Sequence, residues 1–570
     1  MKDYGIILRG LLGRTYNAVQ STDTAVKEGK EIGNQNRKIK KIDARKRALI
    51  FVLFAVGSFL LGLFIMFVDP YHSIYKYKLK FGPGGEIFSI WEKPPVDLFL
   101  KVYLWNVTNS KEYMSGKDEK LQFQEVGPYV YRELMSHNDI IFNDNGTLSS
   151  VPTHPLVWDP FLSGDRKEDD VLVLPNIALL GIGDVVATKN IFTRLGLNVI
   201  IRQSNSQPLV AMTAKEFMFG YKSTLVDLGN TFMPSWIYFS KLGLIDRMYD
   251  FKGDYETVYT GTKLGINNIG LVATYNGATK IPQWDSPCGD IQNSSDGTKF
   301  PGNIKPNDTL RFFRKSMCRA KSLVRVGETV EDGFKSYVYN FDPESDDNGR
   351  VHPKNRCFCK AKNIDQCHPK GLLDVRGCYY GFPIALSYPH FFEGDKVLFN
   401  KVKSGLNPQK EKHQSYVIIE PNSGTPIKLA IRYQINIFLG NLKNIANSEK
   451  FSNMTLPLLW TEIGMYGLPT FLKIRFKLYL YIIPLAQTFF MYALFVSSIF
   501  ACVYSLHKFL AYKRIEITKS SLWMEDDIIL NIDKKLASYI PEKQLDVNSK
   551  KMEVFFSNLV IPLNTSMEKA

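Results

Sequence analysis

ALIFVLFAVGSFLLGLFIMFV, running from Ala48 to Val68, is a stretch of 21 residues without a formal charge. Wound as a helix rising 1.5 Å per residue it is roughly 31 Å long, the thickness of a bilayer's hydrocarbon core. A second uncharged stretch, Leu480 to Leu506, lies near the other end of the 570-residue chain. Between the two, Asp69 to Tyr479 holds six of the seven cysteines and five Asn-x-Ser/Thr sequons. This pattern predicts a membrane protein with two transmembrane helices enclosing one large ectodomain. Its segments are a cytosolic tail (1–47), a first helix (48–68), an extracellular or luminal domain (69–479), a second helix (480–506) and a second cytosolic tail (507–570).

Flanking charge sets the orientation. Arg37, Lys38, Lys40, Lys41, Arg45, Lys46 and Arg47 crowd the N-terminal side of the first stretch, against Lys76, Lys78 and Lys80 beyond it. That asymmetry puts the N-terminus in the cytosol, and two crossings return the C-terminus there. The apolar run starts 47 residues in and is too long for the core of a cleaved leader, so it reads as a retained signal-anchor. Of the formal net charge of +15, the first 47 residues carry +7 and the last tail +1. The basic N-terminal stripe therefore has a membrane explanation, attraction to anionic lipid worth about 1 kcal/mol per charge near the surface. A nucleic-acid partner is not expected.

Cys288, Cys318, Cys357, Cys359, Cys367 and Cys378 form an even set on the exported side, while Cys502 falls inside the second stretch. In an oxidising compartment they predict three disulfides, and the residues alone leave all fifteen pairings open. The competing reading is zinc, since Cys357-x-Cys359 and Cys367-His368 resemble ligand spacing. No paired CxxC or HxxxH completes a tetrahedral site, so no metal and no cofactor is expected. Asn106, Asn145, Asn293, Asn307 and Asn453 head the five sequons and are read as glycosylated; Asn564 heads a sixth, on the cytosolic side.

The ectodomain patterning is mainly β. Val96 to Val107 is rich in aromatic and β-branched residues, and Ile140-Ile141-Phe142 followed by Asn145-Gly146 reads as strand and turn. Tyr416–Glu420, a turn at Pro421-Asn422-Ser423-Gly424, and Ile427–Phe438 read as a hairpin. In its second arm Ile427, Leu429, Ile431, Tyr433, Ile435 and Ile437 alternate with Lys428, Arg432, Gln434 and Asn436. That period of two predicts a half-buried antiparallel strand. Residues 176–250 break the pattern: Val185, Thr188, Phe192, Leu195 and Val199 recur at helical spacing, and Ala214–Tyr221 has similar character, predicting a helical insertion.

The run FGPGGEIFSIWEKPPVDLFLKVYLWNVTNSKEYMSG from Phe81, with EVGPYVYRE at Glu125–Glu133, closely resembles the ectodomain of the class B scavenger receptors. That family takes in the fatty-acid translocase, the lysosomal integral membrane glycoprotein and the insect sensory neuron membrane proteins. Further matches are Trp284 with Cys288, DGTKFPGNIKPNDTLRFF from Asp296, Cys318-Arg319, Cys357-Phe358-Cys359, LSYPHFF from Leu386, GLNP at Gly405 and EPNSG at Glu420. The resemblance implies disulfides Cys288–Cys357, Cys318–Cys378 and Cys359–Cys367. It also implies a helical apex and an internal lipid tunnel running from beneath that apex towards the outer leaflet. Two departures stand out: both tails are longer than is common in the family, and neither has a cysteine to accept palmitate.

The function implied is a cell-surface glycoprotein that binds lipids (fatty acids, sterols, phospholipids or other hydrophobic ligands) or lipoprotein particles and passes lipid to the membrane. Pulling a sixteen-carbon chain into water costs on the order of 12 kcal/mol, so a shielded apolar path suffices without covalent chemistry. An acidic head group needs compensation, and Lys189, Arg194 and Arg202 in the helical insertion are the candidates. By resemblance, Arg202 falls near a basic residue of the family implicated in ligand capture; ordinary solvated helix charges are the competing reading. A plasma-membrane location with both termini cytosolic is expected. Glu525 with Ile529 and Leu530 fits an E-x-x-x-I-L sorting signal and points to the alternative, an endosomal or lysosomal lipid transporter or cargo receptor. Ser58 and Gly62 give the first helix a small-xxx-small face for the second helix or for another copy in a homo-oligomer.

A two-span ion-channel subunit is the rival from another class, with Gln487, Ser497 and Ser498 as pore-lining candidates; neither stretch supplies an acidic ring. No enzyme is expected. The sequence has no G-x-S-x-G, HExxH or P-loop, and His390 in the YPHF run reads as structural.

Overall fold

The fold is taken from a computed structural model that describes residues 46–79, 81–232, 237 and 239–537; for 232, 515–516 and 519–537 only the backbone is described. The tail 1–45, Asn564 and the side chains of Glu525, Ile529 and Leu530 lie outside the described residues; the backbone of 525–530 is helical. Chain contacts divide the molecule into two units, Asp69–Gln487 and the two ends outside it.

In the terminal unit, two helices among the described residues are long and apolar enough to cross a membrane, Lys46–Val68 and the candidate span Thr470–Arg514, whose first part belongs to the other unit. The Ser58–Gly62 face packs on the second of these. A Cβ on Gly62 would lie 2.8 Å from the ring of Phe495. The Ser498 hydroxyl donates to the Ala55 carbonyl across the pair at 2.7 Å. Small residues let the backbones approach, and a hydroxyl then finds an interhelical acceptor where lipid offers none.

The unit Asp69–Gln487 is built on a twelve-stranded sheet. Its main path runs Leu310–Arg314, Arg319–Glu331, Phe334–Phe341, Tyr416–Glu420, Thr425–Phe438, Thr455–Met465, Leu98–Val107, Leu121–Glu133 and Val402–Ser404. The pairings along it are antiparallel apart from the last, which is parallel. A four-stranded sheet combines the hairpin Ser136–Asn143/Thr147–Thr153 with Glu256–Tyr259 and Val272–Tyr275.

The helical insertion is real but broken. Helices Ile177–Ala187 and Ile191–Gln203 are split where the Asn190 carboxamide caps the second by accepting from the Thr193 amide at 2.9 Å. Asn competes with the helix in mid-run and favours its start, which periodicity alone does not register. The strands Val171–Pro175 and Leu209–Thr213, which flank these helices in the chain, pair with each other, and the shorter helices Ala214–Phe219, Thr224–Phe232 and Leu244–Met248 follow.

One expectation is corrected. Thr425–Phe438 is not half-buried, because nearly all of it is enclosed on both faces. Gln434 and Asn436, on the polar face, have no exposed surface. That face holds a closed hydrogen-bond network instead of water. Trp105 Nε1 and the His390 amide donate to Gln434 Oε1 at 3.2 and 2.9 Å, and Asn436 Nδ2 donates to Ser387 Oγ at 3.0 Å. Arg432 stands opposite Glu462 on the neighbouring strand and pairs with it at 2.6 Å. Period two reports chemistry alternating between faces; it cannot tell a wet polar face from one whose groups are satisfied internally.

The structure joins Cys288 to Cys357, Cys318 to Cys378 and Cys359 to Cys367. The three cysteines of the zinc alternative, Cys357, Cys359 and Cys367, are all in disulfides, and His368 Nε2 lies 3.6 Å from Asp374.

Candidate functional site: an apolar cavity in the ectodomain

The strands Thr425–Phe438 and Thr455–Met465 bury Leu429, Ile431, Ile463 and Met465 on one face, and these form one wall of a cavity. The opposite walls come from the helix Glu86–Glu92, through Ile87, Ile90 and Trp91, and from Phe312 and Phe313. Leu472, Phe476 and Tyr479, just before the uncharged stretch 480–506, and Tyr75, Lys78 and Leu79, which follow the first span in the chain, complete it. The empty volume is about 1860 Å³, part of it open to solvent. A void so bounded stays dry unless polar groups offer water partners, and it suits hydrocarbon.

Most of its cations are held in ion pairs. Glu86 takes Lys78 at 3.5 Å and Arg475 at 3.0 Å, tying the segment after the first span to the helix Thr470–Lys477 before the second. Glu133 is fully buried and accepts from His154 Nδ1 at 2.7 Å, Tyr249 OH at 2.7 Å and Arg314 Nη2 at 3.1 Å. Burial works against its carboxylate, but Arg314, His154 and Tyr249 outweigh it and hold the group at about 2. Glu256 is the reverse case. Among the described residues its Oε1 has no hydrogen-bond partner, and burial together with the charge of Asp296 raises its pKa well above the ordinary carboxyl range. Lys315 pairs with Asp254, and burial pushes the Lys299 ammonium down to about 8.

The residues singled out from sequence lie elsewhere. Lys189 and Arg202 are exposed and Arg194 half-buried, on or beside the helix Ile191–Gln203. None of the three lines the cavity, nor does any residue of the helical insertion 177–232. Asn145, Asn293, Asn307 and Asn453 are exposed; Asn106 is half-buried, its carboxamide oxygen accepting from the Val173 amide at 2.9 Å. His390 belongs to the buried network, its Nε2 hydrogen-bonded to Glu125 at 2.6 Å and its Nδ1 accepting from the Asn407 amide. Of the pore candidates, Gln487 bonds the Tyr71 amide at 2.7 Å and Asp69 at 2.9 Å, Ser497 bonds the Leu494 carbonyl, and Ser498 joins the two spans. The cavity's own polar residues escaped the sequence reading, since Glu133 and Lys299 lie within quoted motifs but nothing in their spacing marks them as facing a void.

Two candidate spans, a large antiparallel ectodomain with an apolar cavity and three disulfides are the features of a two-span membrane protein with an exported domain. The family model described as the CD36 family matches residues 49–509, and the chain belongs to that family. It is 30% identical to Scavenger receptor class B member 1 of Mus musculus over 74% of this chain and 81% of that protein. It is 26% identical to Protein peste of Drosophila melanogaster, over 70% of this chain and 71% of the relative. With Lysosome membrane protein 2 of Rattus norvegicus the identity is 28%, over 66% and 76%.

Proposed function

We propose that this chain is a membrane receptor that takes lipid into the apolar cavity of its ectodomain and hands it to the bilayer. The observation that carries the reading is a largely apolar cavity whose walls include residues next in the chain to both uncharged stretches. A hydrocarbon chain housed there avoids about 0.8 kcal/mol per CH₂ of exposure to water. Lys189, Arg194 and Arg202 would gather acidic lipid or particles at the helical insertion, upstream of the cavity, and the five sequon asparagines would carry glycans. The plasma membrane is the favoured location. The endosomal alternative rests on the E-x-x-x-I-L string, and the channel reading is weakened because its polar side chains are already bonded within the chain.

The test pairs lipid mass spectrometry of the purified full chain with uptake of a fluorescent lipid by cells expressing it. Ile463→Trp, which fills the cavity, should abolish copurifying lipid and uptake while cell-surface level holds. Unchanged uptake in that variant would exclude the cavity as the route. Current across a reconstituted bilayer without lipid uptake would favour the channel.

A further inference from the structure

Five cations line the cavity: Lys78, Lys299, Arg314, Lys315 and Arg475. Four have carboxylate partners, with Lys78 and Arg475 on Glu86, Arg314 on Glu133 and Lys315 on Asp254. Lys299 differs. Among the described residues its Nζ makes one hydrogen bond, to the Phe300 carbonyl at 2.9 Å, and no ion pair. The acids of the same wall do not serve it. Glu133 and Glu86 are committed, Asp296 accepts from the Thr298 amide and hydroxyl, and burial disfavours the charged form of Glu256.

The lysine is also held in place. Its stem runs over Gly270, where a Cβ would lie 3.5 Å from Lys299 Cβ. The next residue, Phe300, has no exposed surface and donates its amide to the Gly424 carbonyl at 2.8 Å. A fixed ammonium facing apolar walls without a counter-charge is costly, and a ligand that brings one recovers that cost as a charge-assisted hydrogen bond.

We propose that Lys299 is the anchor for the anionic head group of a single-chain amphiphile, a carboxylate or phosphate monoester, whose hydrocarbon fills the cavity. The ligand then lies with its charge on the wall formed by 296–299 and its tail among Leu429, Ile431, Ile463 and Met465. With its pKa near 8, most Lys299 side chains carry the proton at neutral pH before any ligand arrives. Neutral lipids gain nothing from this group, so the site discriminates by charge where the remaining walls discriminate by shape.

The inference rests on the lipid-cavity reading, and the experiment separates the two. The full chain in detergent is photolabelled with a diazirine-bearing palmitate and, separately, with its methyl ester, and labelled peptides are mapped. In the wild type both should label cavity peptides. In Lys299→Met the acid should lose about tenfold in labelling while the ester is unchanged, and Lys299→Arg should retain most of the acid labelling. Oleate and lysophosphatidate should compete with the acid, and inorganic phosphate should not. Equal acid labelling of wild type and Lys299→Met would overturn the assignment, as would equal loss of acid and ester, which marks a purely structural lysine. Competition by inorganic phosphate alone would make this a site for free anions. Absence of cavity labelling by either probe in the wild type would sink the lipid-cavity reading and this inference with it.

Discussion

Replacing Glu133 with Gln should destabilise the ectodomain in a way that depends on pH, because one buried carboxylate is shared by three partners on the cavity wall. A carboxyl held at about 2 instead of its ordinary 4.5 contributes about 3 kcal/mol to folding. The sign follows from the direction. The folded-state value is depressed, so the contribution is complete above about pH 4.5 and is lost as pH falls towards 2. Gln keeps the shape but removes the charge, leaving the Arg314 guanidinium buried without its anion, for a total cost of about 3–5 kcal/mol. For a folded unit of roughly 400 residues that lowers Tm by about 4–6 °C. Melting of the full chain in detergent, followed by tryptophan fluorescence from pH 7 to pH 2.5, reads both quantities. The wild-type and Glu133→Gln curves should stand apart at pH 7 and converge at the acid end. Adding Arg314→Met to Glu133→Gln should restore part of the loss. A gap at pH 7 of less than about 1 °C, or one that stays constant to the acid limit, would refute the charge argument.

Gly424 sits at φ +71 in the Pro421–Gly424 turn, where a Cβ would lie 2.2 Å from the carbonyl oxygens of Phe300 and Pro301. Gly424→Ala should therefore cost about 2–4 kcal/mol and reduce the yield of folded chain at 37 °C more than at 25 °C, read by size exclusion. Cys318→Ser with Cys378→Ser opens a 60-residue closure, worth about 4 kcal/mol on the chain-entropy model, and should lower Tm more than loss of the eight-residue Cys359–Cys367 closure. Gly62→Ile drives a branched side chain into the Phe495 ring, so disulfide trapping between A55C and S498C in a Cys502→Ala background should fall several-fold.

What the sequence disclosed follows from what its signals measure. The two charge-free stretches needed only length and composition, and the hairpin at Tyr416–Glu420 and Thr425–Phe438 needed only a turn between two alternating arms. The cavity was invisible to the same reasoning. Leu429, Ile431 and Ile463 look identical whether they face packed neighbours or a void, since residue type reports dislike of water and not the presence of a partner. Asn190 split a helical run that periodicity treated as continuous, and Gln434 and Asn436 were read as facing water because their satisfying partners, Trp105 and Ser387, are remote in sequence. Lys299 stood inside a recognised motif, yet its lack of an ion pair among the described residues emerges only when the neighbouring segments are assembled.

These departures share a physical cause. A domain that keeps a void forfeits the dispersion contacts a filled core would supply to its lining residues. Something else has to hold the walls apart and in register. Here that role falls to charged groups placed where a packed core would have none: Glu86 tying Lys78 to Arg475, Glu133 tying Arg314, His154 and Tyr249, and Arg432 with Glu462 behind the strands that form the main wall. Such pairs add little when compared with well-packed hydrocarbon, but they have directions and fixed lengths, and removing one partner is expensive. They therefore specify a cavity's shape in a way that apolar contacts, which favour collapse, cannot. On this argument the polar residues that break the inside-apolar rule and the space they surround are one feature, and substituting the pairs with well-fitting hydrocarbon should leave the fold intact while the void shrinks.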